Sequence, residues 1–240
     1  MESLFDIVIP LGPNDYNKID TMLSYTIKNV IGYRKIFVVA KEKKFTSDVE
    51  FINEDIFPFN FDTIKIYLGN NDRIGWYFQQ LIKLYAGFHI PNILNNYLVI
   101  DSDTFFLRPT TFFKNNLPMY NFGSEYHVPY FNHMKELHPN LMKTSSKSGI
   151  CHHMMFQKDK VVQLFNIVED LHKNNFYNIF LNSISNEHIL GSGASEYEIY
   201  FNFLLRYFEK DIIIRELKWI NHSGIPINED YDYVSCHWYL

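Results

Sequence analysis

The chain has 240 residues and a formal net charge of -5; 47% of it is hydrophobic, 18% aromatic and 20% charged. That balance describes a globular chain with a real core, not a disordered one, and it offers no basic stripe for a nucleic-acid backbone. Two cysteines, Cys151 and Cys236, are too few for a disulfide framework and lack zinc-ligand spacing. No apolar run approaches the roughly 20 residues of a spanning helix, and residues 1–6 hold no basic leader. The expectation is a cytoplasmic protein with no membrane span.

Residues 4–11, LFDIVIPL, read as a buried strand closed by Gly12-Pro13. Asn14 or Asp15 then caps a helix whose apolar face is Ile19, Met22, Leu23, Ile27 and Val30, with Gly32 as its stop. Residues 36–40 form a second buried strand, and residues 63–68, TIKIYL, a third near an edge. A polar loop over 69–75 leads into a helix from about Trp76 to Gly87. Residues 97–100, YLVI, are a short apolar strand running directly into Asp101-Ser-Asp103. Later come a strand over 149–156, an amphipathic helix over 158–173 and a hinge-like Gly191-Ser-Gly193 loop. A helix over 195–207 follows, then strands at 212–214 and 233–237. The rhythm is α/β in one domain, with about residues 1–107 as a nucleotide-binding-like half.

In open α/β sheets ligands gather at the carboxyl ends of strands, which puts Asp101 and Asp103 in a site. Two carboxylates after an apolar strand repel each other and lose hydration unless a cation joins them; Mg2+ or Mn2+, which take oxygen ligands, meet that need. Asp230-Tyr-Asp232 repeats the pattern in a polar stretch with no strand leading in, and reads as a solvated turn. His237, ending a β-branched and aromatic run before Trp238, is the first imidazole candidate for a metal, and His222 the second. Ser195 and Glu198 have capping-box spacing, with Glu198 reaching back to the cap amide. That leaves Glu196 in the first helical turn as a general base or a partner for sugar hydroxyls. His152 and His153 adjoin on a strand, so only one faces a cleft. Gln79 and Lys83 share a helix face, and Arg73 in the preceding loop suits a phosphate.

Four segments occur in order: residues 7–10 (IVIP), 73–84 (RIGWYFQQLIKL), 97–107 (YLVIDSDTFFL) and 195–198 (SEYE). Together they resemble a glycosyltransferase of the GT-A fold, and more narrowly a little-characterised branch with members in bacteria and large DNA viruses. The resemblance spans residues 5–237. It implies a Rossmann-like, mixed and mainly parallel sheet flanked by helices, with about residues 108–240 as the acceptor and catalytic half. It also implies a UDP-linked sugar donor, Mn2+ or Mg2+, and a glycan or small acceptor. On this resemblance Asp101, Asp103 and His237 hold the metal, and Asp101 and Ser102 lie against the nucleotide. Pro10, Leu11 and Gly12 line the nucleobase; Arg73, Gln80 and Lys83 assist at the nucleotide sugar. Glu196, or a histidine such as His153, would deprotonate the acceptor if the reaction inverts.

Three other readings compete. A haloacid-dehalogenase-type phosphatase also ends a strand in D-x-D, but needs Thr or Val where this chain has Phe105. A sugar nucleotidyltransferase calls for a Gly-rich, basic first loop, which residues 11–15 are not. A catalytically inert nucleotide- or sugar-binding module of the same fold is the third.

Overall fold

The computed structural model describes residues 4–226 and 230–237. Eight strands matter to the site: β1 (Phe5–Pro10), β2 (Tyr33–Ala40), β3 (Glu50–Asn53), β4 (Asn96–Ile100), β5 (Thr104–Phe106), β6 (His153–Gln157), β7 (Trp219–Asn221) and β8 (Tyr233–Ser235). Seven α-helices accompany them: α1 (Ile19–Asn29), α2 (Phe61–Leu68), α3 (Ile74–His89), α4 (Val128–Leu137), α5 (Lys158–His172), α6 (Phe176–Asn182) and α7 (Glu196–Tyr207). The central sheet runs β6-β4-β1-β2-β3. Its first four strands in the chain are parallel, and β6 closes one edge antiparallel to β4. The fold is therefore α/β, with a mixed, mainly parallel sheet flanked by helices. A smaller ladder sets β8 between β7, parallel to it, and β5, antiparallel to it.

Strands β1 and β4 have neighbours on both sides, and every residue of β1 is buried. That is why both read as unbroken apolar runs rather than alternating ones. The exception, Asp6, is wholly buried and answered by Arg34, whose Nε and Nη2 donate to its two oxygens at 3.0 and 2.7 Å. One hydrophobic cluster takes residues from Phe5 to Cys236, so both halves share a core. No helix of the described residues is long and apolar enough to cross a membrane.

Several elements differ from their sequence reading. The segment expected as an edge strand over 63–68 is helix α2, started by a reciprocal cap between Asn60 and Thr63. Alternation would put Ile64, Ile66 and Leu68 on one face; the helix buries Ile64 and Leu68, four apart, and leaves Ile66 81% exposed. The edge strand is instead β3, too polar to announce itself. Asp15 caps nothing: residues Pro13–Asp15 make one 3-10 turn, and α1 opens at Ile19 without a side-chain cap. Ile27, assigned to the buried face of that helix, is 46% exposed. The strand expected from 149 starts only at His153, because His152 has φ +63° and turns the chain out of extended geometry.

Gly149 shows how tightly α7 is seated. A Cβ there would lie 2.5 Å from both the Tyr197 carbonyl oxygen and Phe201 Cβ, whereas Gly12 faces open space. Gly149→Ala should therefore cost about 2–3 kcal/mol in urea unfolding, and Gly12→Ala less than about 0.5. Equal losses would refute this packing.

Candidate functional site

The chain builds β1, β2 and β3 toward one edge, then crosses back to lay β4 on the other side of β1. The direction of winding reverses between β1 and β4, and that crevice, at the strands' carboxyl ends, is where an α/β sheet takes its ligand. Asp15 follows β1 there, and Asp101-Ser-Asp103 follows β4. Ser102 Oγ joins the two loops by donating to Asp15 Oδ2 at 2.5 Å. Burial raises the Asp15 pKa, with Asp103 adding to the effect and Ser102 and Lys18 opposing it.

Asp101 and Asp103, two residues apart, have different surroundings. Asp101 Oδ1 lies 2.6 Å from Lys83 Nζ and accepts from the Tyr197 hydroxyl at 2.7 Å, while His152 Nδ1 stands 3.4 Å from Oδ2. Lys83 Nζ also donates to Glu196 Oε1 at 2.7 Å, and sits 4.3 Å from the centre of the Tyr197 ring. One buried ammonium thus bridges β4 and α7 from α3. Burial opposes charge on all three groups, but the two carboxylates outweigh it and hold Lys83 above its ordinary range. Lys83 and His152 likewise outweigh burial at Asp101 and keep it ionised, well below the usual carboxylate pKa. One positive charge cannot serve two carboxylates fully. At Glu196 burial prevails over Lys83, and its pKa rises.

Asp103 turns toward the C-terminal segment instead. Ser235 Oγ donates to Oδ1 at 3.1 Å, and His237 Nδ1 lies 2.8 Å from Oδ2. Burial lowers the His237 pKa, but the Asp103 contact outweighs it and the net shift is upward. Lys18 Nζ lies 3.1 Å from Asp15 Oδ1 and donates to the Cys236 carbonyl at 2.6 Å, fastening the same segment from the opposite loop. Adjacent ligands on an octahedral divalent cation stand about 3 Å apart. The Asp103–His237 spacing fits that, and Asp101, with both oxygens turned to other partners, does not join them. Among the described residues no three His, Cys, Asp or Glu side chains are arranged to hold a cation. A cation on this pair would need ligands beyond these two side chains.

The remaining candidates divide. Pro10, Leu11 and Gly12 do end β1 at the crevice, with Leu11 buried and Gly12 exposed. Gln80 Oε1 accepts from the Glu196 amide at 3.1 Å, so it caps α7. Arg73 does not face the acidic pair: it stacks on Trp76 and donates to the Gly191 carbonyl at 2.8 Å. With Tyr77 and His127 it ties down the loop that sequence suggested was a hinge. Glu196 is 3% exposed and held by Lys83, so it is no free base at a cleft wall. The Ser195 cap forms, at 3.3 Å to the Glu198 amide. Glu198 does not reach back; its carboxylate serves Lys143, Ser148 and Gly149. His222 Nδ1 is engaged within its own turn by Gly224, and its amide donates to the Ser235 carbonyl at 3.0 Å. Trp238 lies outside the described residues. Asp230 pairs with Arg108 and Lys218 on the surface, as a solvated turn would.

No protein-family model matches the chain, and no curated protein matches it. Among solved structures, that of mouse xyloside xylosyltransferase 1 in its apo form is similar at 9% identity and a TM-score of 0.45, covering 97% of each chain. A likeness so distant carries nothing about the site.

The histidine pair also resolves against the sequence reading. His153, the expected cleft residue, is 2% exposed in a box of Phe106, Phe112 and Tyr233, with centroids 5.2, 5.6 and 4.8 Å away. Neither ring nitrogen has a well-formed hydrogen bond among the described residues. Burial, with Arg215 and His152 adding to it, pulls its pKa down to about 3. His152 is the one at the acidic pair. Asp15 and Tyr197 escape the sequence reading as site residues, and His152 enters it only as one of an adjoining pair.

A buried neutral histidine has a thermodynamic signature. Its folded pKa lies below its unfolded value near 6.5, so the unfolded chain binds more protons between the two. The stability it allows is complete above about pH 6.5 and falls as pH drops toward 3. From pH 6.5 to 5 the loss from this residue should be about 2 kcal/mol in urea unfolding. His153→Phe should remove that part of the slope; an unchanged slope would place the charge change elsewhere.

Proposed function

We propose that the protein is a metal-dependent glycosyltransferase that moves a hexose or deoxyhexose from a UDP-sugar to a glycan or small acceptor. The observation that carries this reading is the Asp103–His237 pair, 2.8 Å apart, at the strand switch and beside an Asp101 already neutralised by Lys83. Asp103 and His237 would hold Mn2+ or Mg2+, which when bound would draw charge from the departing diphosphate. The β1 end, Pro10 to Gly12, would face the nucleobase, and Ser102 and Asp15 would line the approach to the ribose. Lys83 would keep Asp101 ionised and fixed, so that the wall beside the donor carries set dipoles and needs little reorganisation during transfer. Glu196, bound by Lys83, would act as a positioning residue on α7.

Two protein ligands make a weak cation site until phosphate oxygens complete it. Calorimetry should therefore show Mn2+ and UDP each strengthening the other's binding, by about tenfold or more. Asp103→Asn or His237→Ala should abolish the coupling and leave the metal-free UDP affinity nearly unchanged. UDP that binds equally well without metal would count against the metal assignment. Failure of wild-type protein to bind UDP under either condition would remove the reading.

A further inference from the structure

We propose that His152 reads the transferred group: it hydrogen-bonds, through Nε2, a hydroxyl of the sugar bound beside Asp101. The proposal rests on the glycosyltransferase reading and deepens it, because it names a residue of this chain as the one that selects the donor sugar.

The backbone is the first sign. His152 has φ +63°, a left-handed conformation uncommon for a non-glycine residue. Its carbonyl still accepts from the Asp101 amide at 3.0 Å, so the ladder to β4 runs one residue beyond β6 and the turn is made at this position. The turn reverses which of two adjacent histidines meets the crevice: His153 goes into the aromatic box and His152 stands over the acidic loop.

The ring is also fixed in direction. Nδ1 stands 3.4 Å from Asp101 Oδ2, the outer limit of hydrogen-bonding distance. Trp219 and His237 meet the ring edge-to-face, with centroids 5.1 and 4.9 Å away. An ionised carboxylate facing Nδ1 calls for its N–H there, which leaves Nε2 to a second partner. Nε2 makes no hydrogen bond to a described residue and is not among the buried unpartnered atoms, so it opens on the crevice.

The surroundings select the ligand. Asp101 lies against the ring, and Glu125 is close enough to interact with it electrostatically. A sugar hydroxyl both donates and accepts, so it can meet Nε2 there, and Trp219 beside the ring suits the apolar rim of a sugar.

The test uses a substitution that the backbone favours. Glycine adopts positive φ freely, so His152→Gly removes the ring without straining the turn, and His152→Asn also tolerates the conformation. Wild type and both variants would be assayed with Mn2+ for hydrolysis of UDP-glucose, UDP-galactose and UDP-xylose, with UDP affinity from calorimetry. Wild type should prefer one donor, and His152→Gly should narrow that preference by about tenfold or more with UDP affinity changed less than about twofold. A preserved preference, or a UDP affinity that falls in step with it, would overturn the assignment. Wild type that binds UDP yet shows no preference would also overturn it, while leaving the parent reading in place. Wild type that fails to bind UDP would remove that reading, and this proposal with it.

Discussion

The arrangement of the site depends on one buried ammonium. Lys83 comes from α3, which packs on the central strand β1 and on α7, and it reaches Asp101 after β4 and Glu196 at the head of α7 within 2.7 Å. Its side chain is 4% exposed, so nothing in solvent substitutes for either partner. Removing one member of such a buried set leaves an uncompensated charge, which costs about 3–5 kcal/mol in proteins generally. The same set divides labour between two aspartates only two residues apart. Asp101 is taken up by lysine, tyrosine and histidine, while Asp103 faces Ser235 and His237. Identical side chains acquire different chemistry because different elements meet them.

The second constraint is topological. Winding outward from β1 and then back across it leaves the ends of β1 and β4 as neighbours with no strand capping the gap between their loops. The C-terminal segment closes the far side: β8 pairs with β5, and the Cys236 amide donates to the Asp103 carbonyl at 2.7 Å. Lys18 spans from the β1 loop to the Cys236 carbonyl. Sheet, first loop and last described strand therefore converge on one acidic turn. Burial pushes both thiols up, Cys151 to about 12 and Cys236 to about 11, which favours the protonated form of each.

The legible parts of the chain are those whose apolar residues follow one period, unbroken in buried strands and on one face in helices. β1, β4 and the long helices α3 and α5 are visible because their apolar residues leave no second interpretation. Residues 63–68 failed because TIKIYL satisfies a period of two as well as a spacing of four, and the Asn60–Thr63 cap that decides between them lies before the run. β3 was invisible because an edge strand needs few apolar residues. Asp101, Asp103 and His237 were legible as strand-end residues. The role of Lys83 was not, since its second partner stands 113 positions away. Asp15 carries an ambiguous signal: as the first acidic residue after the first strand it also reads as a helix cap. His152 had none, because a left-handed histidine looks like any other in sequence, and adjacency alone could not say which of two rings faces inward.

The central proposal is that Lys83 holds Asp101 while Asp103 and His237 would hold a cation. Anomalous scattering from crystals grown with Mn2+ and UDP tests it most directly. The account predicts one manganese peak within about 2.3 Å of an Asp103 oxygen and a His237 nitrogen. Lys83 should still bridge Asp101 and Glu196. Manganese bound to Asp101 with Lys83 displaced, or a nucleotide complex with no manganese at Asp103, would contradict it.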